Sequence, residues 1–138
     1  MGSPLLHPLA LLVLAAAPAC SFLGGGRIPE WIDNPPADQE YLYAIGSYVG
    51  SLYPEDNRRN ATKEAIRNLS AQIRTRVKDR LEMTGAGNAT MVRRRAEMVA
   101  ENAVKNAQPM AFWVDREGRV KGGRPGTVYV LVRAPVAP

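Results

Sequence analysis

Two β-rich runs near the end of the chain, Met110–Asp115 (MAFWVD) and Thr127–Arg133 (TVYVLVR), decide the fold. Both runs are rich in β-branched and aromatic residues, which are enriched in strands. The segment between them, residues 116–126, is polar and carries four glycines and a proline, a composition typical of a loop. Together the three pieces predict a β-hairpin with a long tip.

Upstream of this hairpin, Glu40–Ser47 (EYLYAIGS) predicts another strand. Apolar residues alternate between the two faces of such a strand, and Tyr41, Tyr43 and Ile45 share one of them. A glycine inside a strand pattern marks a bulge or a close approach of another backbone. Gly46 is therefore expected to be a point of close contact or a bulge.

The pattern changes after this strand from a period of two to a period of four. Ala61, Ala65, Leu69 and Ile73 recur every four residues and form one narrow apolar stripe, as on an amphipathic helix. The small alanines favour a close contact between this helix and a sheet.

From Ile73 onward the chain can be interpreted in two ways. Ile73, Thr75 and Val77 alternate with basic residues, which favours a strand that begins around Ile73. The alternative is that the preceding helix continues through this region. We expect the strand, because the alternation with a period of two persists for several residues.

A second helix is predicted from about Thr90 to Asn106, preceded by the break TGAGNA at residues 84–89. Asn88 stands at the start of this helix, where asparagine is a favoured capping residue. The resulting order is β-α-β-α-β-β. It predicts an α+β fold, a two-layer sandwich with an antiparallel or mixed sheet and two helices on one face. We expect a single domain over residues 35–135.

The first residues predict a lipoprotein signal peptide over residues 1–19. Their apolar run is too short to span a bilayer and has the length of a secretory signal. Ala17-Pro18-Ala19-Cys20 resembles the lipobox of bacterial lipoprotein precursors, which predicts a lipidated Cys20 followed by a flexible tether over residues 20–34. An uncleaved anchor and ordinary secretion are the alternatives. Ser21 after the cysteine favours the outer membrane over the inner one, by resemblance to lipoprotein sorting rules.

Several hydrophobic landmarks of the chain resemble those of a known family. They are Pro29-Glu30-Trp31, Asn34-Pro35, the strand from Tyr41 to Ser47, the stripe from Ala61 to Ile73, Trp113-Val114-Asp115 and Tyr129-Val130-Leu131-Val132. This layout is similar to the LPP-twenty-type bacterial outer-membrane lipoproteins, and to the amino-terminal domain of the FlgT family of flagellar outer-membrane ring proteins. The resemblance implies an envelope lipoprotein with a small α+β domain and no known enzymatic activity.

Composition excludes several classes of catalytic site. His7 is the single histidine and Cys20 the single cysteine, so the chain without its signal peptide has no imidazole for a catalytic triad or a histidine-containing zinc site. We therefore expect no metal, no cofactor and no small-molecule substrate. Carboxylate chemistry stays open, with Asp115 and Glu117 as its candidate pair.

Basic residues exceed acidic ones by 18 to 13, which gives a net charge of +5. The densest run is Arg93-Arg94-Arg95. It predicts contact with an anionic surface, such as peptidoglycan, lipopolysaccharide or lipid headgroups, with an ordinary solvated helix face as the alternative. Nucleic acid would attract the same charges, but an exported protein does not meet it.

Four aromatic residues in or near the strand-forming parts are candidate interface residues, because Tyr and Trp are enriched at protein interfaces; they are Trp31, Tyr43, Trp113 and Tyr129. The alternative is that most aromatic residues of these parts form core contacts or cross-strand pairs. Together these features predict a non-enzymatic, lipid-anchored envelope protein. It would bind another envelope protein or itself in an outer-membrane or flagellar-type assembly. The second hypothesis is a binding module for anionic envelope polymers.

Overall fold

The computed structural model describes residues 26–135, which form three helices and three strands. In chain order these are α1 (Glu30–Asp33), β1 (Tyr41–Tyr48), α2 (Pro54–Met83), α3 (Ala89–Lys105), β2 (Gln108–Asp115) and β3 (Thr127–Pro135). The predicted α+β class is confirmed. The predicted signal peptide over residues 1–19 and the predicted lipidation at Cys20 lie outside the described residues.

The three strands form one antiparallel sheet in the order β1-β3-β2. Tyr48 pairs with Val128, and Asp115 pairs with Thr127, so these residues share one end of the sheet. We call it the loop end, because the β2–β3 loop begins and finishes there. Tyr41 and the start of β2 lie at the opposite end.

The hydrophobic core lies between the sheet and α2, with α3 packed mainly on α2. The alanine stripe of α2 is fully buried against the sheet, as its spacing predicted. Strands β1 and β3 contribute alternate residues to the same core, which are Leu42, Ala44, Val128, Val130, Val132 and Ala134. The arrangement therefore has two layers, with α2 and α3 on one face of the sheet.

The predicted strand that begins at Ile73 is wrong, because α2 continues without interruption to Met83. Ile73 is buried and Val77 packs against the core four residues later, which is a helical spacing. No glycine or proline separates this stretch from the stripe before it, and its Arg, Lys and Leu residues are good helix formers. The described residues therefore contain three strands instead of the four expected.

Residues 30–33 belong to the segment expected to be a flexible tether, but they form the short helix α1. The backbone N–H of Asn34 donates to the Glu30 carbonyl and closes its single turn. Trp31 and Ile32 on this turn are half-buried. Part of the segment expected to be a flexible tether is thus helical.

Helices α2 and α3 extend beyond the sheet at the end opposite the loop end. Ala65 of α2 lies against Gly46 of β1, and α2 runs antiparallel to β1. From Ala65 to Met83 the helix covers about 27 Å, whereas from Gly46 back to Tyr41 the strand covers only about 17 Å. The α2–α3 connection is therefore the far end of the molecule from the β2–β3 loop.

Candidate interaction surfaces

The sheet face that points away from α2 and α3 carries three of the four predicted interface aromatics. Tyr43 lies on β1, and the register of β2 and β3 places Trp113 directly beside Tyr129. The ring centroids of Trp113 and Tyr129 are 6.0 Å apart with 36° between their planes, a separation at which aromatic pairs attract. The fourth residue, Trp31, lies on α1.

These aromatic residues are not freely exposed. Tyr129 is only 8% exposed, because the β2–β3 loop folds over it: a β-carbon on Gly123 would meet the Tyr129 hydroxyl at 2.7 Å. Trp31, Tyr43 and Trp113 are half-buried. The structure therefore places Tyr129 in the interior of the fold and the other three aromatics at partial depth.

The Tyr43 hydroxyl is held within the fold by Asp38. It donates to Asp38 Oδ2 at 2.6 Å, while Asp38 Oδ1 accepts the backbone N–H groups of Tyr41 at 2.6 Å and Glu40 at 2.9 Å. The hydrogen bond from Tyr43, followed by that from Tyr41, lowers the pKa of Asp38. The same bond to the carboxylate raises the pKa of Tyr43. This hydroxyl is thus occupied by a local contact.

The exposed apolar surface of the sheet is on β2, where Met110, Phe112 and Val114 are 45%, 46% and 37% exposed. We call these three residues the β2 strip. Phe112 and Val114 pair with Val130 and Val128 of the core, so they lie on the sheet face that the helices cover elsewhere. They stay exposed because α2 packs mainly on β1 and β3, and α3 mainly on α2.

The β2 strip lies on an edge strand whose outer side pairs with no other strand among residues 26–135. Gln108–Val114 contains no charged residue, although charges are a usual protection of strand edges against pairing. A bulge interrupts the register between Pro109 and Ala111, and the pairing is regular from there to Asp115. Pro109 and the bulge protect the start of this edge, whereas the regular, uncharged part from Ala111 to Val114 is suited to accept a further strand.

The other edge strand, β1, carries a protective contact. Asn68 of α2 donates its side-chain N–H to the backbone carbonyl of Ile45 at 2.8 Å. On β2, the contact from α2 is made to a side chain instead: the Arg58 guanidinium lies 4.0 Å from the centroid of the Phe112 ring. The two edges therefore differ, and the more exposed apolar one is β2.

The carboxylate of Asp115 organises the β2–β3 loop. It is 1% exposed, and its oxygens accept the backbone N–H groups of Arg119 and Val120, both at 2.9 Å. Burial by itself would raise the pKa of Asp115, but the backbone hydrogen bonds outweigh it and lower that pKa. Glu117 accepts a hydrogen bond from Arg119 Nε at 2.7 Å. Both carboxylates of the candidate acid pair are thus engaged in local structural contacts.

The predicted anionic-surface residues Arg93, Arg94 and Arg95 are all exposed on α3. Successive helical residues are about 100° apart, so the three side chains leave the helix in different directions. They lie near the α2–α3 connection, far from the loop end. None of them forms an ion pair with another described residue.

Within residues 26–135, no group of histidine, cysteine and carboxylate side chains is arranged to hold a metal ion. No helix of that part of the chain is both long and apolar enough to cross a membrane.

Comparisons with protein-family models and with curated proteins return no match. The resemblance to the LPP-twenty-type lipoproteins therefore stays a prediction.

Proposed function

We propose that this chain is a non-enzymatic, lipid-anchored protein of the bacterial envelope whose α+β domain binds another protein. The sequence Ala17-Pro18-Ala19-Cys20 at the end of a short apolar run supports the anchor. The β2 strip supports the protein contact. Apolar residues that stay partly exposed on a free strand edge create a risk of non-specific pairing unless a partner covers them.

Strand addition is the mode of binding that this surface favours. An extended segment of the partner would pair with the outer edge of β2, and its backbone would satisfy the free N–H and C=O groups there. Side chains of the same segment would cover Met110, Phe112 and Val114. Main-chain pairing supplies affinity in this mode, while the apolar contacts select the partner.

Site-specific photo-crosslinking in native envelopes tests the protein contact. A photoreactive amino acid at Phe112 is expected to capture one defined protein, whereas the same group at Gln72, an exposed position of α2, is the matched control. Adding Met110→Lys and Val114→Lys is expected to abolish the capture at position 112, because lysines on a strand edge oppose pairing. Equal capture at positions 72 and 112 would contradict the proposal.

The anchor has its own test. Cells supplied with labelled palmitate are expected to label the wild-type protein and not Cys20→Ala, since Cys20 is the single cysteine of the chain. Labelling of the Cys20→Ala variant would contradict the lipid anchor. The strand-edge contact does not depend on that result.

A second candidate function, binding of an anionic envelope polymer, is favoured by the exposure of Arg93, Arg94 and Arg95. Charge attraction of this kind weakens as salt screens it. The two functions are separated by co-sedimentation with cell-wall sacculi at low and high salt. The comparison is the triple variant in which these three arginines are changed to glutamine. Binding through β2 is expected to survive both high salt and the triple variant.

A further inference from the structure

The chain enters the described fold beside the β2–β3 loop. Gly26 lines a shallow surface pocket together with Trp113, Arg116 and Arg119. Cys20 precedes Gly26 by six residues, and six residues extend over at most about 20 Å. An acyl group on Cys20 would therefore keep the loop end, and not the α2–α3 connection, close to the bilayer.

The loop that lies nearest to this entry point is basic. Residues 116–126, which we call the basic loop, contain four cationic side chains and one carboxylate. That carboxylate, Glu117, forms an ion pair with Arg119. Arg116, Lys121 and Arg124 are exposed and form no ion pair with another described residue. The exposed Arg27 at the chain entry adds a further positive charge.

The basic loop is held in one conformation by its own hydrogen bonds. Besides the contacts of the Asp115 carboxylate, the Asp115 carbonyl accepts the backbone N–H of Gly126 at 2.6 Å. Gly123 N–H donates to the Val120 carbonyl at 2.8 Å, and the Thr127 hydroxyl donates to the Arg124 carbonyl at 2.6 Å. Because the backbone of the loop is already ordered, binding through its cations costs little further backbone entropy.

We infer that the basic loop docks on anionic phospholipid headgroups of the bilayer that carries the anchor. This inference rests on the proposed lipidation of Cys20. Docking orients the domain with the loop end toward the membrane and with Arg93, Arg94 and Arg95 at its distal end. The β2 strip then lies on the side of the domain, where it stays accessible to a partner.

The basic loop is attracted to the anionic bilayer more strongly than Arg93, Arg94 and Arg95 are, because it lies closer to the bilayer. The attraction of a basic residue to an anionic leaflet decreases within one Debye length, about 8 Å at physiological salt. Each cation close to the surface strengthens binding about fivefold. Two cations of the loop therefore change the ratio of docked to undocked domains by about 25-fold, and cations at the far end of the molecule change it little.

The test uses the acylated mature protein in nanodiscs of phosphatidylglycerol and phosphatidylcholine. Its single native cysteine is blocked by the lipid, so one introduced cysteine can be labelled with a fluorophore. Pro125→Cys reports on the basic loop, and Ala86→Cys, exposed in the α2–α3 connection, is the matched control. Quenching by nitroxide headgroup lipids measures how close each label lies to the bilayer.

We expect strong quenching at position 125 and weak quenching at position 86. Lys121→Gln with Arg124→Gln is expected to reduce the ratio of docked to undocked domains about 25-fold, while Arg93→Gln with Arg94→Gln leaves it unchanged. Neutral nanodiscs are expected to reduce this ratio at least as much as the loop variant does. Equal quenching at both positions, or no response to the loop variant, in an acylated protein overturns the inference alone. A mature protein whose mass shows no acyl group overturns both the anchor and this inference.

Discussion

Gly46 of β1 lies directly against the backbone of Ala65 in α2, so closely that a β-carbon on Gly46 would meet the Ala65 Cα at 2.8 Å. The same β-carbon would also collide with the Ala61 carbonyl oxygen. Only glycine on the strand, together with alanines on the helix, permits this approach. Between the two explanations offered for a glycine in this strand, close approach is therefore the correct one.

Substituting Gly46 by alanine tests how far this contact determines the position of α2. The new methyl group meets backbone atoms, which cannot move aside as a flexible side chain can, so α2 has to shift from β1. Overpacking of this kind costs about 1–3 kcal/mol, and we expect Gly46→Ala to lower the free energy of unfolding by about 3 kcal/mol. Gly26→Ala is the control for urea unfolding, because a β-carbon at that position would meet no atom of residues 28–135 within 4 Å.

Asp115→Asn is expected to destabilise the fold in a pH-dependent way. The folded state lowers the pKa of Asp115, so its ionised form favours folding at pH 7 and this contribution is lost as the pH falls below about 4. Asparagine keeps one acceptor oxygen, and the second N–H of the loop then faces an NH₂ group. The loss at pH 7 is expected to be about 2 kcal/mol.

Urea unfolding of wild type and Asp115→Asn at pH 7 and pH 3 checks this expectation. The two curves are expected to lie closer together at the lower pH, because the contribution of the ionised carboxylate decreases once the pH falls below the unfolded value near 4. Asp79→Asn, at an exposed position of α2, supplies the control for a general change of charge. A difference between wild type and Asp115→Asn that is as large at pH 3 as at pH 7 would contradict the role given to the charge.

Local patterns were sufficient to predict most elements of the fold. The β-rich runs around Trp113 and Val130 and the alternation around Tyr43 are determined by side chains close in sequence, and these strands formed within two residues of the predicted bounds. The alanine stripe from Ala61 likewise identified the buried face of α2. In each case the pattern shows which face of the element is buried, and it is the same whichever other element covers that face.

Features that depend on distant partners were not predictable in this way. Ile73, Thr75 and Val77 alternate with basic residues, yet they belong to a helix, because α3 offers α2 a packing partner beyond the sheet. The exposure of Phe112 depends on strand order: with β3 in the centre, α2 and α3 leave β2 uncovered. For the helix the sequence carries two competing periods, because Ile73 and Val77 also continue the period of four that begins at Ala61. No local period carries the strand order.

The contact between Tyr43 and Asp38 predicts an altered tyrosine titration. Donation to the carboxylate raises the pKa of Tyr43 above its usual value near 10, because ionised Tyr43 would lose this hydrogen bond and repel Asp38. We expect Asp38→Asn to lower that pKa toward the usual value. The change is measured by the absorbance of tyrosinate at alkaline pH in wild type and in this variant. Tyr43→Phe is the control that assigns the signal to Tyr43. Identical titration curves for wild type and Asp38→Asn would contradict it.

The start of α3 depends on Asn88, whose side-chain oxygen accepts the backbone N–H of Met91 at 3.0 Å. The capping role expected from its position is confirmed, and loss of such a cap costs about 1 kcal/mol. Asn88→Ala is therefore expected to lower the free energy of unfolding by about 1 kcal/mol, whereas Asn102→Ala, an exposed position within the same helix, is expected to raise it slightly because alanine is the better helix former. Urea unfolding of both variants separates the two effects, since they carry the same substitution on the same helix. A loss of equal size at both positions would mean that the amide group matters to α3 for a reason other than capping.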